Sequence, residues 1–308
     1  MRWTTKALIQ RTLARLPFGR QAYTLGQSWV GGLRNYRIDG KLDQALRVRD
    51  ALRAAGQTLT DRIALEIGTG WLPVAPMFYW LLGLRCCYAF DIDRLLSSRL
   101  TVAAAAQLIE IIEQPVRAPG DWRADLRSDR VEALRQLVRR GASHQEILVT
   151  CAIDYHAPAD AAATGLPIGA VDVVFSSAVL EHVPTEDIGR LFREAYRILR
   201  PGAVMAHLID PSDHYSHGDR SISGVNFLQF SPAQFARYNT PFLYQNRLRA
   251  PEYPPMVRDA GFEILLIDSR PNGKARDSLR ELQVHPDFAR FTPDELCSMS
   301  VRIVARRS

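Results

Sequence analysis

Leu65-Glu66-Ile67-Gly68-Thr69-Gly70-Trp71 is the stretch that decides the fold. The apolar run Ile63–Ile67 leads straight into two glycines. A strand buried on both faces does this when it feeds a tight turn into a helix. Val74–Leu82 then has helical spacing, and Cys86–Phe90 is a second strand ending at Asp91. Arg94–Ile112 reads as a long helix with an alanine run, and Val131–Arg139 as an amphipathic one. Val171–Ser176 and Val204–Ile209 read as strands separated by a helix at Asp187–Leu199. Phe262–Ile267 and Met299–Ala305 read as two more. Strands alternating with helices predict an open, mostly parallel α/β sheet with helices on both faces. Ligands of such sheets sit at the carboxyl ends of the strands, where the strand order reverses. Chemistry is therefore sought in the residues just after each strand.

The composition agrees with a globular chain. Of 308 residues, 47% are hydrophobic and 23% charged, which excludes disordered, collagen-like and disulfide-scaffold classes. The net charge of +6 is uneven. Residues 1–60 carry eleven Lys and Arg against three acids, and the remainder is slightly acidic. Only Lys6, Lys41 and Lys274 are lysines. Residues 4–16 read as a helix with Ile9, Leu13 and Leu16 on one face and Arg11 and Arg15 opposite, before Pro17. A second helix is expected at Leu42–Ala55. The organisation expected is a basic helical extension over 1–58 and one domain over 59–308. That domain carries a helical insertion at 115–150 and a lid or acceptor-binding insertion at 211–255. The four cysteines show no metal spacing, no signal peptide is evident, and no apolar run would span a bilayer. A reduced, cytoplasmic protein is the expectation.

Glycines after the first strand let a ligand approach the backbone closely. Asp91, 21 residues beyond Gly70, stands where a carboxylate accepts both hydroxyls of an adenosine ribose. A dinucleotide site would carry a third glycine where Pro73 stands. Glu66 beside the loop also opposes a diphosphate and suits the ammonium of a methionine moiety instead. S-adenosyl-L-methionine has that ammonium and no phosphate.

Further motifs follow in order. Asp160-Ala161 precedes Leu166-Pro167, then Val171-Asp172-Val173-Val174-Phe175-Ser176, Leu180-Glu181-His182-Val183 and Arg197-Ile198-Leu199-Arg200-Pro201-Gly202. With Glu66-Ile67-Gly68-Thr69-Gly70 and Asp91, this series resembles the class I S-adenosylmethionine-dependent methyltransferases, especially those acting on small molecules. The likeness covers about residues 62–209 and returns at Ala260-Gly261-Phe262. It implies a Rossmann-like seven-stranded sheet. It also implies a cofactor turn of Glu66, Gly68, Thr69, Gly70 and Trp71, with Asp91 and Ile92 at the ribose. Asp160 and Ala161 would meet the adenine, and Ser176 would lie at the end of the fourth strand. Asp154 competes with Asp160 for the adenine amino group. This chain departs from the pattern at Leu72, where a third glycine is common, at Ala203, and in the length of 115–150.

The chemistry implied is in-line displacement of a sulfonium methyl, accelerated by orientation and desolvation. A hydroxyl acceptor needs a base, and His182, His214 and Asp210 are the candidates, with Asp213 and His217 nearby. For His182 a structural role stands level with a catalytic one. Some quinone O-methyltransferases bind a metal on Glu-x-x-Glu-His at this point. Ala178 occupies the first position here, so no metal is expected. The Asn/Asp-Pro-Pro-Tyr signature of many base and amide N-methyltransferases is replaced by Ser176-Ser177-Ala178. Residues 211–255 mix aromatic and polar side chains, as a lid over a sugar-like acceptor would, with Arg247 placed to pair with an acceptor anion. This segment also bears a looser resemblance to bacterial methyltransferases of glycan pathways. The leading expectation is an O-methyltransferase of a small-molecule or glycan-like acceptor. Alternatives are an RNA methyltransferase using the basic segment, a scaffold that binds cofactor without catalysis, and a weak peripheral membrane contact through the first helix. Oligomeric state is left open.

Overall fold

The central sheet of the computed structural model has seven strands: β1 (Ile63–Ile67), β2 (Cys86–Phe90), β3 (Ile153–His156), β4 (Val171–Ser177), β5 (Leu199–Ile209), β6 (Phe262–Pro271) and β7 (Ser298–Arg307). Their order is β3-β2-β1-β4-β5-β7-β6. All residues are described except 20–22, 24–25, 27–35, 115 and 117–119. Strands β1 to β5 pair in parallel, and β7 is antiparallel to both its neighbours. Strand order reverses between β1 and β4, so the crevice for a ligand opens above those two strands. The strands nearest that point are apolar for a physical reason. Both faces are covered, and β4 is buried along six of its seven residues.

The helices that matter for the site are α1 (Trp3–Ala14), α2 (Asp39–Ala54), α3 (Val74–Leu81), α4 (Ser98–Glu113), α5 (Ser128–Arg139), α6 (His144–Thr150), α7 (Thr185–Ile198) and α8 (Tyr253–Asp259). One core joins α2, α3, α4, α5 and α6 to one face of the sheet, with Leu42, Phe78, Leu108, Leu134 and Phe175 among its members. The 115–150 segment is thus packed into the main body through Trp122, Val131, Leu134 and Ile147. It holds two helices and a 3-10 turn (Asp121–Asp125) rather than the single helix expected. Residues 115 and 117–119 of it lie outside the described residues. A second core lies under α7 and α8 on the other face.

Two sequence expectations are revised. The helix expected from Arg94 begins at Ser98, because Ser97 caps it by accepting the Leu100 N–H at 3.3 Å. In α1 the stripe Ile9, Leu13, Leu16 is not the packed one. Ala7 and Gln10 are buried, whereas Ile9 and Leu16 are exposed. The helix docks by its other side onto the 211–255 segment. Trp3 lies edge-on to Tyr238 at 4.6 Å, its backbone N–H donates to Asp219, and the Tyr215 hydroxyl donates to Gln10 at 3.0 Å. Part of the basic segment, residues 20–22, 24–25 and 27–35, lies outside the described residues. Among the described residues no helix is long and apolar enough to cross a membrane.

Residues 211–255 share a small core with residues 275–297, in which Val225, Phe227, Leu228 and Phe235 meet Ala275, Phe288, Leu296 and Cys297. Arg249 is fully buried, lies over the Phe227 ring and donates to the Pro211 carbonyl at 2.7 Å. Arg247 donates to the carbonyls of Phe227 and Phe230 and stacks over Phe235. Its guanidinium therefore braces the segment, and it is not among the residues lining the cleft.

Candidate active site

The glycine turn is tied down at both ends. Gly68 N–H donates to the Phe90 carbonyl at 2.8 Å, which locks the end of β1 to the end of β2. Gly68 has φ +76, and a Cβ there would stand 2.5 Å from a Val179 methyl. Only glycine allows that approach. Gly70 has φ +70 with open space around the Cβ position, which leaves room for a ligand against the backbone. Asp91 organises this turn. Its Oδ2 accepts the Gly70 N–H at 2.7 Å and its Oδ1 accepts the Asp93 N–H at 2.9 Å. Burial raises its pKa against the pull of those two bonds.

A cleft of about 670 Å³ opens beside the turn. Gly68, Trp71, Asp91, Ile92, Asp160 and Ala161 line it, as do Ala178, Val179 and His182 after β4. Pro241, Phe242, Leu243 and Tyr244 close it from the 211–255 segment. Six of the sequence-predicted cofactor residues are therefore gathered on one surface. Asp160 is exposed, accepts the Ala162 N–H at 2.8 Å and pairs with Arg190 at 3.2 Å. Asp154 is exposed, lies 3.0 Å from His156 Nε2 and is not on the cleft wall. Glu66 and Thr69 lie just behind that wall, both buried. Ser176 lies beneath it, fully buried in β4 with its Oγ 2.8 Å from His207 Nδ1, and does not line it.

The electrostatics behind the wall are unusual. Burial pushes Glu66 up to about 7, against Thr69 and Lys41, and its Oε2 has no hydrogen-bond partner. Burial likewise pushes Glu181 up to about 8, and neither of its oxygens has a partner. Lys41, from α2, is the cation that faces Glu66, Glu181 and Asp91, and its own pKa is lowered by burial. Sequence reading did not select Lys41 or Glu181 as site residues. Lys41 carried one available signal, as one of three lysines in an arginine-rich chain.

His182, His214 and Asp210 come together. The His182 Nδ1 lies 2.6 Å from the Tyr244 carbonyl, so that nitrogen carries the proton and donates it. Burial pushes His182 down to about 4. Its ring meets His214 edge-on at 4.7 Å, and His214 stacks on His217 at 4.7 Å. Burial alone would lower His214, but Asp210 and Glu181 outweigh it and raise its pKa. Burial would raise Asp210, yet the neighbouring His214 and the hydrogen bond from Ser212 hold it at about 2. Asn246 clamps the turn carrying these groups. Its backbone N–H donates to the Glu181 carbonyl at 2.9 Å and its Nδ2 donates to the Leu180 and Val183 carbonyls. Ala178 enters the turn with φ 55, a left-handed conformation uncommon outside glycine, and it faces the cleft.

A family model described as a methyltransferase domain matches residues 124–207, under a third of the chain. That match includes β3, β4 and Leu180-Glu181-His182-Val183 and excludes the glycine turn. The strand order, the turn held by Asp91 and this match together define the class. The chain is an S-adenosylmethionine-dependent methyltransferase with the class I architecture, and S-adenosyl-L-methionine is its cofactor. No curated protein matches the sequence. Among solved structures, the chain is similar to an S-adenosylmethionine-dependent methyltransferase from Mesorhizobium loti, at 15% identity and TM-score 0.42, covering 84% of this chain and 96% of that one. It is also similar to phosphoethanolamine N-methyltransferase 2 of Haemonchus contortus, at 14% identity and TM-score 0.47, covering 96% and 60%. A third is a methyltransferase from Methanosarcina mazei, at 15% identity and TM-score 0.40, covering 81% and 94%.

Proposed function

We propose that the chain O-methylates a small-molecule or glycan-like acceptor, with His182 taking the hydroxyl proton. The cofactor fits the residues present. The open space at Gly70 admits a ligand against the turn, and the unpartnered Glu66 Oε2 awaits a cationic or donor group. On this reading Glu66 faces the ammonium, Asp91 takes the ribose hydroxyls, and Asp160 and Ala161 meet the adenine edge. Gly68, Thr69, Trp71 and Ile92 shape the walls, and Ser176 supports the floor through His207. When bound, S-adenosylmethionine supplies an electrophilic methyl on its sulfonium sulfur.

One observation carries the choice of oxygen chemistry: the tautomer of His182. Its Nδ1–H is committed to the Tyr244 carbonyl, so Nε2 holds a lone pair. Burial keeps the ring neutral at pH 7, so that lone pair is available to accept a proton. Phe242 and Tyr244 cover the cleft and limit water. Asp210 favours the proton on His182, while the neighbouring His214 opposes it. The acceptor oxygen would take the methyl carbon as its bond to sulfur breaks, S-adenosylhomocysteine would leave, and the hydroxyl proton would pass to His182 Nε2.

The test is a panel of hydroxylated acceptors assayed for S-adenosylhomocysteine formation, with mass spectrometry of the product. His182→Ala should lower kcat by about 10²–10⁴-fold and leave S-adenosylhomocysteine affinity nearly unchanged. Methylation on nitrogen, or full activity in the variant, would overturn the proposal.

A further inference from the structure

We infer that Asp210, His214 and His217 form a binding site for one divalent transition-metal ion of the zinc type. The ligands come from a single stretch, Asp210-Pro211-Ser212-Asp213-His214-Tyr215-Ser216-His217. Strand β5 ends at Ile209, so Asp210 stands at its carboxyl end. His214–His217 is one 3-10 turn, capped by Asp213, whose carboxylate accepts the Tyr215 N–H at 2.9 Å. Side chains three apart eclipse in a 3-10 turn. The two imidazoles therefore stack, with planes 27° apart. Both Nε2 atoms then face one oxygen. Asp210 Oδ2 lies 3.5 Å from that of His214 and 3.7 Å from that of His217.

Those separations exceed a normal hydrogen bond. They are close to the spacing of ligands around a metal, since tetrahedral bonds of about 2.0–2.1 Å set neighbouring ligand atoms roughly 3.4 Å apart. A second observation points the same way. The Glu181 side chain is 3% exposed, both its oxygens lack partners, and Oε1 lies 3.9 Å from the equally unpartnered His214 Nε2. It borders the cluster through His214, on the side of His182. Two imidazoles with carboxylates favour zinc and its neighbours over magnesium or calcium, which take shells of oxygen. The His217 side chain is 57% exposed, so the site has an entry from solvent. The expectation of no metal rested on Ala178 in the turn after β4. The site inferred here lies on the turn after β5 and replaces that expectation. It would join the start of the 211–255 segment to the turn that carries His182.

Occupancy does not depend on the methyl-transfer reading, so its test is kept separate. The full chain, stripped with a chelator, is titrated with zinc chloride by calorimetry. S-adenosylhomocysteine binding is measured on the same samples as a control for folding. One zinc per chain is expected, with affinity lowered at least about tenfold in His217→Ala and further in Asp210→Asn. His217→Ala should bind S-adenosylhomocysteine as the parent does, because the side chain is exposed and does not line the cleft. No saturable zinc binding, or equal affinity in parent and His217→Ala, would overturn the inference.

Discussion

Glu66→Gln should make the ligand-free protein more stable and its cofactor binding weaker, with the stability gain growing as pH rises. The carboxyl is 6% exposed, lacks a partner on Oε2, and is pushed by burial from 4.5 up to about 7. A raised carboxyl pKa means the folded state holds its proton longer than the unfolded one. The cost of the buried charge is therefore absent below about pH 4.5 and complete above about pH 7. A gap of that size corresponds to about 3 kcal/mol at pH 8 and about 1 kcal/mol at pH 5. Glutamine carries no charge at either pH, so it removes that difference. Thermal melts of parent and variant should separate by roughly 5 °C more at pH 8 than at pH 5. In the same variant, losing a charge-assisted bond worth about 1.5–3 kcal/mol should weaken S-adenosylhomocysteine binding at least tenfold. In the parent, affinity should rise between pH 6 and 8 as Glu66 ionises, a trend the variant lacks. A melting difference that stays constant from pH 5 to pH 8 would refute the reasoning, because it would mean that Glu66 does not titrate as a buried group.

Asp91→Ala removes the acceptor of the Gly70 and Asp93 N–H groups together with the ribose contacts, so calorimetry should show affinity for S-adenosylhomocysteine falling by about 100-fold or more. Asp91→Asn keeps one acceptor oxygen and should fall between the two, and parent-like affinity in Asp91→Ala would reject the assignment. Lys41→Met takes away the cation facing Glu66, Glu181 and Asp91, so the pH at which cofactor affinity rises should move upward, with affinity at pH 7 down by about three- to tenfold. An unmoved pH profile in that variant would show that α2 packs on the domain without tuning the site.

The order of strands and helices was legible because it is local. Ile63–Ile67 and Val171–Ser177 are apolar runs of strand length, and a doubly covered parallel strand needs nothing else to be recognised. The glycine turn held by Asp91 was legible for a similar reason, since glycines at a strand end and an acid at the end of the next are consequences of close backbone approach. Where reading stopped at local periodicity it missed. The stripe Ile9, Leu13, Leu16 has helical spacing, yet α1 packs by Ala7 and Gln10 because the surface it meets offers the hydroxyls of Tyr215 and Thr240. Strand β3, only four residues long with a half-polar pattern at the sheet edge, left no strong period to follow.

By itself the sequence determined the architecture, the cofactor class and part of the wall of the cleft. Each depends on residue type at short spacing, which the chain carries with it. Tertiary structure alone decided the charge behind that wall. Glu66, Glu181 and Lys41 come from three distant segments, and their pKa shifts arise only when burial removes water from them together. It also decided that His182 holds its proton on Nδ1, because the carbonyl that selects the tautomer belongs to Tyr244, 62 residues away. The 3-10 turn that stacks His214 on His217 lies between these cases. Its residues are adjacent in sequence, but the eclipsed spacing exists only once Asp213 caps the turn.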